Sequence, residues 1–126
     1  MDELLDGDIA TAARAMESGA VSARELTAAA LARIEAGDGT LHTFFRVDAE
    51  VALRHAEEGD RERRHGRARG PLHGIPLARK DLFDRAGFAT SCGSPGAAAP
   101  AVETAACLAR LDAAGAVDLG ALNMSE

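Results

Sequence analysis

Lys80 is the side chain in this 126-residue sequence that is best suited to proton transfer. It is the single lysine among 14 basic residues, and it ends an apolar run in the stretch 70–81. Glycines and prolines interrupt the backbone in that stretch, and the residues before Lys80 are compatible with a β-strand. Because a buried lysine can lose its proton near neutral pH and an arginine cannot, Lys80 is a candidate base. The alternative is a solvated strand end, in which Asp81 or Asp84 pairs with the lysine.

The cysteines and histidines form no recognisable catalytic or metal-binding pattern. Cys92 and Cys107 are too few and too poorly spaced for a disulfide framework or a zinc site, which favours two reduced thiols in a cytoplasmic protein. The four histidines are His42, His55, His65 and His73. They form no Ser–His–acid arrangement, and we expect His73 to shape the turn within 70–81.

Two segments have some features of a phosphate site, but neither has the required pattern. The segment 91–96 is rich in glycine and serine, yet it matches neither the P-loop nor the dinucleotide-binding spacing. The run 57–69 contains many arginines, but glutamates and aspartates are interleaved with them. We therefore expect 57–69 to be a solvated helix end and loop.

Composition predicts one small globular domain. With 47% apolar residues, the chain can bury about two thirds of its unfolded surface. Its formal net charge of −6 argues against a general nucleic-acid-binding protein. No apolar run approaches about 18 residues, and the acidic start lacks the regions of a signal peptide, so we expect neither a transmembrane helix nor a signal peptide. Four phenylalanines, without Trp or Tyr, leave the core to Ala, Leu, Val and Ile.

Three helices are predicted in the first half of the chain. The first begins at an Asp8 cap and ends at Gly19, and the second begins with a capping box formed by Ser22 and Glu25 and ends at 37–39. The third starts near residue 49 after a cap at position 48. The residues expected to face the core are Ile9, Ala12, Ala13 and Met16 in the first helix, Ala23, Leu26, Ala30, Leu31 and Ile34 in the second, and Ala49, Ala52, Leu53 and Ala56 in the third.

The second half of the chain favours a strand–loop–helix–strand unit over 74–122, after a short extended segment at 41–47. A loop over 87–101 leads to a helix over 103–114, followed by a strand over 117–122. The residues expected to face inward from that helix are Cys107, Leu108, Leu111 and Ala114. This order predicts an α/β fold in which helices precede a sheet. Because the sequence stops directly after a strand, we expect the fold to be incomplete at its C-terminus.

The stretch 70–81, with the sequence GPLHGIPLARKD, resembles the opening motif of the amidase signature family. Other stretches are similar to parts of the same family in the same order along the chain, and they are 18–26, 32–34, 84–94, 111–116 and 120–126. The resemblance implies an α/β fold with N-terminal helices followed by the first strands of a mixed β-sheet covered by helices. Residues 1–126 would form the N-terminal part of a single amidase domain, with a helical segment at 1–69 and the lysine-bearing unit at 70–126.

The resemblance also implies hydrolysis or transfer of an amide by a Ser–Ser–Lys triad. One serine attacks the carbonyl carbon, and a second serine on a cis peptide bond relays the proton to the lysine. Only the lysine maps onto this sequence, as Lys80, and no cofactor and no metal is implied. The family's serines lie in a Gly/Ser-rich stretch beyond residue 126, and Ser91, Ser94 and Ser125 lie in no such run. We therefore expect the isolated chain to be inactive and unstable, with an exposed sheet edge and exposed apolar helix faces.

Three functional alternatives remain open from the sequence. The first is an amide hydrolase whose partner is a small-molecule amide, without nucleic acid or membrane, for which a homodimer is compatible with the resemblance. The second is the start of an amidotransferase A-type subunit that acts on aminoacyl-tRNA. The third is a truncated, non-catalytic paralogue with a binding role. A purely structural helical module does not account for the single lysine in its motif.

The sequence departs from the family pattern at four positions near the motif. Arg79 replaces an apolar residue beside Lys80, where it would either favour the neutral lysine or pair with Asp81. Asp118 interrupts a strand that is apolar in the family. The usual Lys-Thr pair before an asparagine is replaced by Ala and Leu at 121–122. These departures concern strand packing and contacts with substrate.

Overall fold

A three-stranded mixed sheet carries the candidate base, and five helices accompany it in a computed structural model that describes residues 1–96 and 98–124. The strands lie in the order β1–β3–β2, with β3 antiparallel to β1 and parallel to β2. The elements in chain order are α1 (Asp2–Asp6), α2 (Ile9–Glu17), α3 (Ala23–Leu41), β1 (Phe44–Val47), α4 (Ala49–Arg64), β2 (Pro76–Lys80), α5 (Ala106–Ala113) and β3 (Val117–Leu122). The predicted α/β class is confirmed, as is the strand–loop–helix–strand order of the second half.

The capping box at the start of α3 is confirmed, but the end of the helix is not where the sequence predicts it. The Ser22 hydroxyl accepts a hydrogen bond from the Glu25 N–H at 3.1 Å, and the Glu25 carboxylate accepts one from the Ser22 N–H at 2.8 Å. The helix then continues through 37–39 to Leu41. A glycine inside a helix lowers the stability of the helix by only about 1 kcal/mol, so the glycines at 37 and 39 do not end it. The helix ends at a residue in the left-handed conformation, which is His42 with a φ of 50°.

The predicted helix over 103–114 is shorter in the structure, because α5 begins at Ala106. Its inward face is narrower as well. Leu108 is buried, and Leu111 and Ala114 are half-buried, but Cys107 is exposed and the prediction for it is wrong. Successive residues of a helix lie about 100° apart, so a short helix that buries Leu108 turns its neighbour toward solvent.

The core lies between the helices and one face of the sheet, and small side chains dominate it. Its members are Ala12, Ala13, Met16, Val21, Ala23, Leu26, Ala52, Ala56, Ile75, Val117 and Leu119. Two residues that the helical pattern placed inward, Ile9 and Ala49, are exposed. Each is the first residue of its helix, and the first turn of a helix projects beyond the packed stripe.

The arginine-rich run 57–69 has the structure that its mixed charges predict. Helix α4 extends to Arg64, and the rest of the run is a turn and loop. Two ion pairs lie within the run, Arg61–Glu58 and Arg69–Glu62, each at 2.5 Å, and Glu57 pairs with Arg24 of α3 at 2.7 Å. No helix among the described residues has the length and apolar character needed to cross a membrane.

Candidate active site around Lys80

Lys80 is the last residue of β2, and its amine points to the end of the neighbouring strand. It lies opposite Leu122 of β3 in the register of the two parallel strands. The Nζ atom donates a hydrogen bond to the backbone carbonyl of Asn123, and the residue is half-buried. Among the residues that the structure describes, neither Asp81 nor Asp84 forms an ion pair with Lys80. The alternative for Lys80, a solvated strand end in which Asp81 or Asp84 pairs with the lysine, is therefore not the arrangement that the structure forms.

The carbonyl that receives the lysine is itself held in place by the segment before β1. The Asn123 N–H donates to the Thr43 carbonyl at 2.8 Å. The Asn123 side-chain amide donates to the His42 carbonyl at 2.6 Å. Sequence reasoning did not identify Asn123 as the partner of Lys80, although a signal was present. The carboxyl ends of parallel strands meet at one edge of a sheet, so the residue after β3 must lie near the end of β2.

Asp81 organises the loop that follows the lysine. Its side chain is buried and accepts a hydrogen bond from the Ser91 hydroxyl and one from the Ser91 N–H at 3.3 Å. The Asp81 carbonyl accepts the Cys92 N–H at 3.0 Å. The Ser91 hydroxyl, in turn, accepts the Gly93 N–H at 3.2 Å. This set of bonds gives Ser91 a structural role.

The other two serines considered in the sequence are not brought into the site. Ser94 is exposed, and its N–H donates to the Ser91 carbonyl at 2.9 Å. Ser125 lies outside the described residues. Of the sequence-predicted groups, the described structure thus places Lys80 in a defined hydrogen-bonded position and places no serine hydroxyl against it.

Arg79 lies on the opposite face of the sheet from Lys80, because successive side chains of a strand alternate. It is buried, and its guanidinium contacts Asp118 of β3 at 2.5 Å and Asp48 at 3.6 Å. The expectation that Arg79 pairs with Asp81 is wrong, since Asp81 is engaged with Ser91 instead. Asp118 is the acidic interruption of the strand, and the structure pairs it with the basic interruption of the neighbouring strand.

A second arginine joins this pair from the loop after β2. Arg85 contacts Asp118 at 2.8 Å and Asp112 of α5 at 2.6 Å. Burial opposes the charge of Arg85, but the hydrogen bond to Asp112 and the nearby Asp118 carboxylate outweigh it and raise the pKa of Arg85. On this face of the sheet, which we call the charged face, the carboxylates of Asp48, Asp112 and Asp118 thus pair with the guanidinium groups of Arg79 and Arg85.

A cavity of about 360 Å³ separates α4 from this charged face. Glu62 and Arg69 line it and contact each other at 2.5 Å, and the hydrogen bond from Arg69 holds the pKa of Glu62 below its usual range. His73 is buried at the cavity wall, where its Nε2 atom lies 2.8 Å from the Gly59 carbonyl. Its backbone N–H closes a turn onto the Gly70 carbonyl at 3.1 Å, as expected for a residue that shapes this turn.

The amidase family model matches residues 25–126, which is most of the chain. The chain belongs to the amidase family. It is 44% identical over 119 residues to the A-type subunit of the glutamyl-tRNA(Gln) amidotransferase of Methylococcus capsulatus, an alignment that covers 94% of this chain and 24% of that protein. The corresponding protein of Streptomyces coelicolor is 41% identical over 129 residues, which cover all of this chain and 26% of the relative.

Solved structures of amidases have the same fold in the matching region. The peptide amidase of Stenotrophomonas maltophilia superimposes with a TM-score of 0.86 at 44% sequence identity, and the match covers 94% of this chain and 25% of that one. The chain thus spans about a quarter of the length of these relatives.

Proposed function

We propose that this chain is the N-terminal part of an amide hydrolase in which Lys80 is the base that accepts the proton of a serine nucleophile. Residues 1–69 would supply the helical segment of a single amidase domain, and 70–126 its first strand–loop–helix–strand unit. Family membership and the coverage of about a quarter of the relatives support this assignment. The substrate would be a small-molecule amide and the location cytoplasmic, and self-association into a homodimer is part of the same proposal.

The hydrogen bond from Lys80 to the Asn123 carbonyl is the observation that carries the proposal. A carboxylate partner would favour the ammonium form of a lysine, whereas a carbonyl accepts an N–H from either the ammonium or the neutral amine. A neutral amine that donates one N–H to this carbonyl keeps its lone pair available.

The chemistry requires two serines that lie outside this chain. As the first serine forms a bond to the substrate carbonyl carbon, its O–H bond breaks and the proton passes through the second serine to Lys80. Lys80 then returns a proton through the second serine to the amine that leaves as the C–N bond breaks. Water finally adds to the acyl carbon, and the bond between that carbon and the serine oxygen breaks. Without a nucleophile and an oxyanion hole, the chain by itself is expected to be inactive.

The test is substitution of Lys80 in the complete protein. Lys80→Met removes the base, and Lys80→Arg keeps the positive charge without a group that can lose its proton near neutral pH. We expect each variant to lose about a thousandfold or more in kcat for amide hydrolysis. Arg110→Met, a substitution of an exposed basic residue on α5, is the control and should retain activity. Wild-type turnover by a folded Lys80→Met variant would contradict the proposal.

A second candidate function is that of an amidotransferase A-type subunit, which would transfer ammonia to aminoacyl-tRNA together with partner subunits. The identities of 44% and 41% to the two amidotransferase subunits favour it, while the equal identity to a peptide amidase favours the free-standing enzyme. Co-purification with other subunits and glutaminase activity would support the amidotransferase. Hydrolysis of simple amides by the protein alone would support the amidase.

A measurement of intact mass separates both candidates from a truncated paralogue. The native polypeptide can be captured from its own cells with an antibody to residues 22–60. A species several times heavier than 13.0 kDa supports the catalytic proposals. A species of 13.0 kDa supports the truncated paralogue with a binding role and excludes catalysis by this gene product.

A further inference from the structure

The register of β2 and β3 changes just before Lys80. Leu77 lies opposite Asp118, but Arg79 lies opposite Ala121 and Lys80 opposite Leu122. Two steps along β2 therefore correspond to three steps along β3. This is the geometry of a β-bulge, in which one strand carries an additional residue and bends locally.

The Asp118 side chain closes this bulge on its own strand. One carboxylate oxygen accepts the Gly120 N–H at 3.0 Å. Gly120 has a φ of 143°, and a Cβ on it would lie 2.1 Å from the Arg46 carbonyl oxygen of β1. The bulge thus requires a glycine, and the carboxylate of Asp118 satisfies the N–H that the irregular backbone presents there.

The second carboxylate oxygen ties the bulge to the strand that bears the lysine. It contacts Arg79 at 2.5 Å and Arg85 at 2.8 Å. Only 13% of the Asp118 side chain is exposed, so these contacts are weakly screened by solvent. One carboxylate oxygen of Asp118 therefore forms ion pairs with the two arginines, and the other accepts the hydrogen bond that stabilises the bulge.

We propose that Asp118 is a positioning residue for Lys80. Its carboxylate maintains the additional residue in β3 that places the Asn123 carbonyl at the lysine Nζ atom. Without the bulge, the residues after Gly120 shift by one position, which is about 3.3 Å along the strand, and the carbonyl no longer meets the amine. The consequence for catalysis rests on the proposed function, but the consequence for the hydrogen bond of Lys80 does not.

The test measures, in the complete protein, the rate at which an amine-specific acylating reagent modifies Lys80. Peptide mapping by mass spectrometry isolates Lys80, and a single-lysine reference peptide in the same tube corrects for the reagent. The comparison is between Arg79→Met, which keeps Asp118 and the bulge, and the double variant Arg79→Met with Asp118→Leu. Both lack the neighbouring arginine, so the difference between them is the effect of Asp118. Only the neutral amine reacts with the reagent. Acylation rates measured over a range of pH therefore distinguish a change in the access of the reagent to Lys80 from a change in the protonation of its amine.

We expect Lys80 to react about fivefold faster in the double variant than in Arg79→Met, because its hydrogen bond is lost. The double variant replaces an ion pair by apolar side chains and should remain folded, as circular dichroism will establish. Asp112→Leu is the matched control, since it removes a carboxylate from the same cluster without a contact to the bulge. It should leave the Lys80 rate unchanged.

Equal Lys80 rates in Arg79→Met and in a folded double variant would overturn the proposal, and so would an increase in Asp112→Leu that matches that of the double variant. In the complete protein, the double variant should also lower kcat relative to Arg79→Met while KM stays constant. Absence of amide hydrolysis in the wild type would refute the proposed function and leave the acylation result as the test of positioning.

Discussion

The imidazole of His73 occupies the space beside Gly115, so that a Cβ on Gly115 would lie 2.4 Å from the His73 Nδ1 atom. Gly115 forms the turn between α5 and β3 and has a φ of 81°. Its carbonyl accepts the Gly74 N–H at 2.8 Å. The turn that leads into β2 and the turn that leads into β3 are thus packed against each other, which places the two parallel strands side by side.

Gly115→Ala should therefore destabilise the protein more than an alanine at another glycine with positive φ. The left-handed backbone costs about 1–2 kcal/mol for a residue with a side chain, and the overlap with His73 adds about 1–3 kcal/mol. Gly19 has a φ of 76° and no atom within 4 Å of a Cβ, so Gly19→Ala isolates the backbone cost. Urea unfolding gives the free energy of each variant. Equal losses in the two variants would show that the contact with His73 is unimportant.

The start of α3 is capped by a side chain from α4. The Asp60 carboxylate accepts the Ala23 N–H at 2.7 Å and the Arg24 N–H at 3.1 Å. Asp60→Ala leaves these two N–H groups without their acceptor and removes an anion from the helix N-terminus, so it should lower the free energy of unfolding by about 1–2 kcal/mol.

Glu57→Ala is the matched control for Asp60. It removes the exposed ion pair of 2.7 Å between Glu57 and Arg24, which is worth about 0–1 kcal/mol. Thermal unfolding should rank Asp60→Ala below Glu57→Ala in stability. The reverse order would mean that the exposed ion pair contributes more than the cap.

Asp38 accepts three hydrogen bonds at the junction of α3 and β1. The Thr43 hydroxyl donates to its carboxylate at 2.6 Å, and the N–H groups of Thr43 and Phe44 add bonds at 2.6 and 3.0 Å. These bonds, with that of the Thr43 hydroxyl as the largest cause, lower the pKa of Asp38 in the folded state. Its contribution to stability is therefore present above about pH 4, the value of an unfolded aspartate, and is lost as the pH falls through the folded-state pKa.

When the pH is lowered from about 5 to about 3, the free energy of unfolding should therefore fall less in Asp38→Asn than in the wild type. Denaturant unfolding at each pH provides the comparison with the wild type. Asp2→Asn, at an exposed position in α1, should leave the pH dependence as it is in the wild type. An unchanged slope in Asp38→Asn would show that another carboxylate causes the acid sensitivity.

Structure that depends on neighbours along the chain could be predicted from the sequence. The capping box of Ser22 and Glu25 joins residues three positions apart, so its pattern is visible in the sequence and its bonds form as expected. The strand–helix–strand unit and the position of Lys80 at a strand end follow from hydrophobic pattern and turn residues in the same way. Family membership rests on motifs of this kind.

Contacts between distant segments were decided by the tertiary structure. The sequence showed Arg79 and Asp118 as two separate departures from an apolar pattern, and only the pairing of β2 with β3 makes them partners at 2.5 Å. The acceptor of Lys80 at Asn123 and the bulge at Gly120 depend on the same register. A strand presents a side chain every 3.3 Å or so, and a shift of one residue changes every partner across the sheet. The sequence alone thus identified Lys80 as the candidate base, and the sheet register determined what holds it in place.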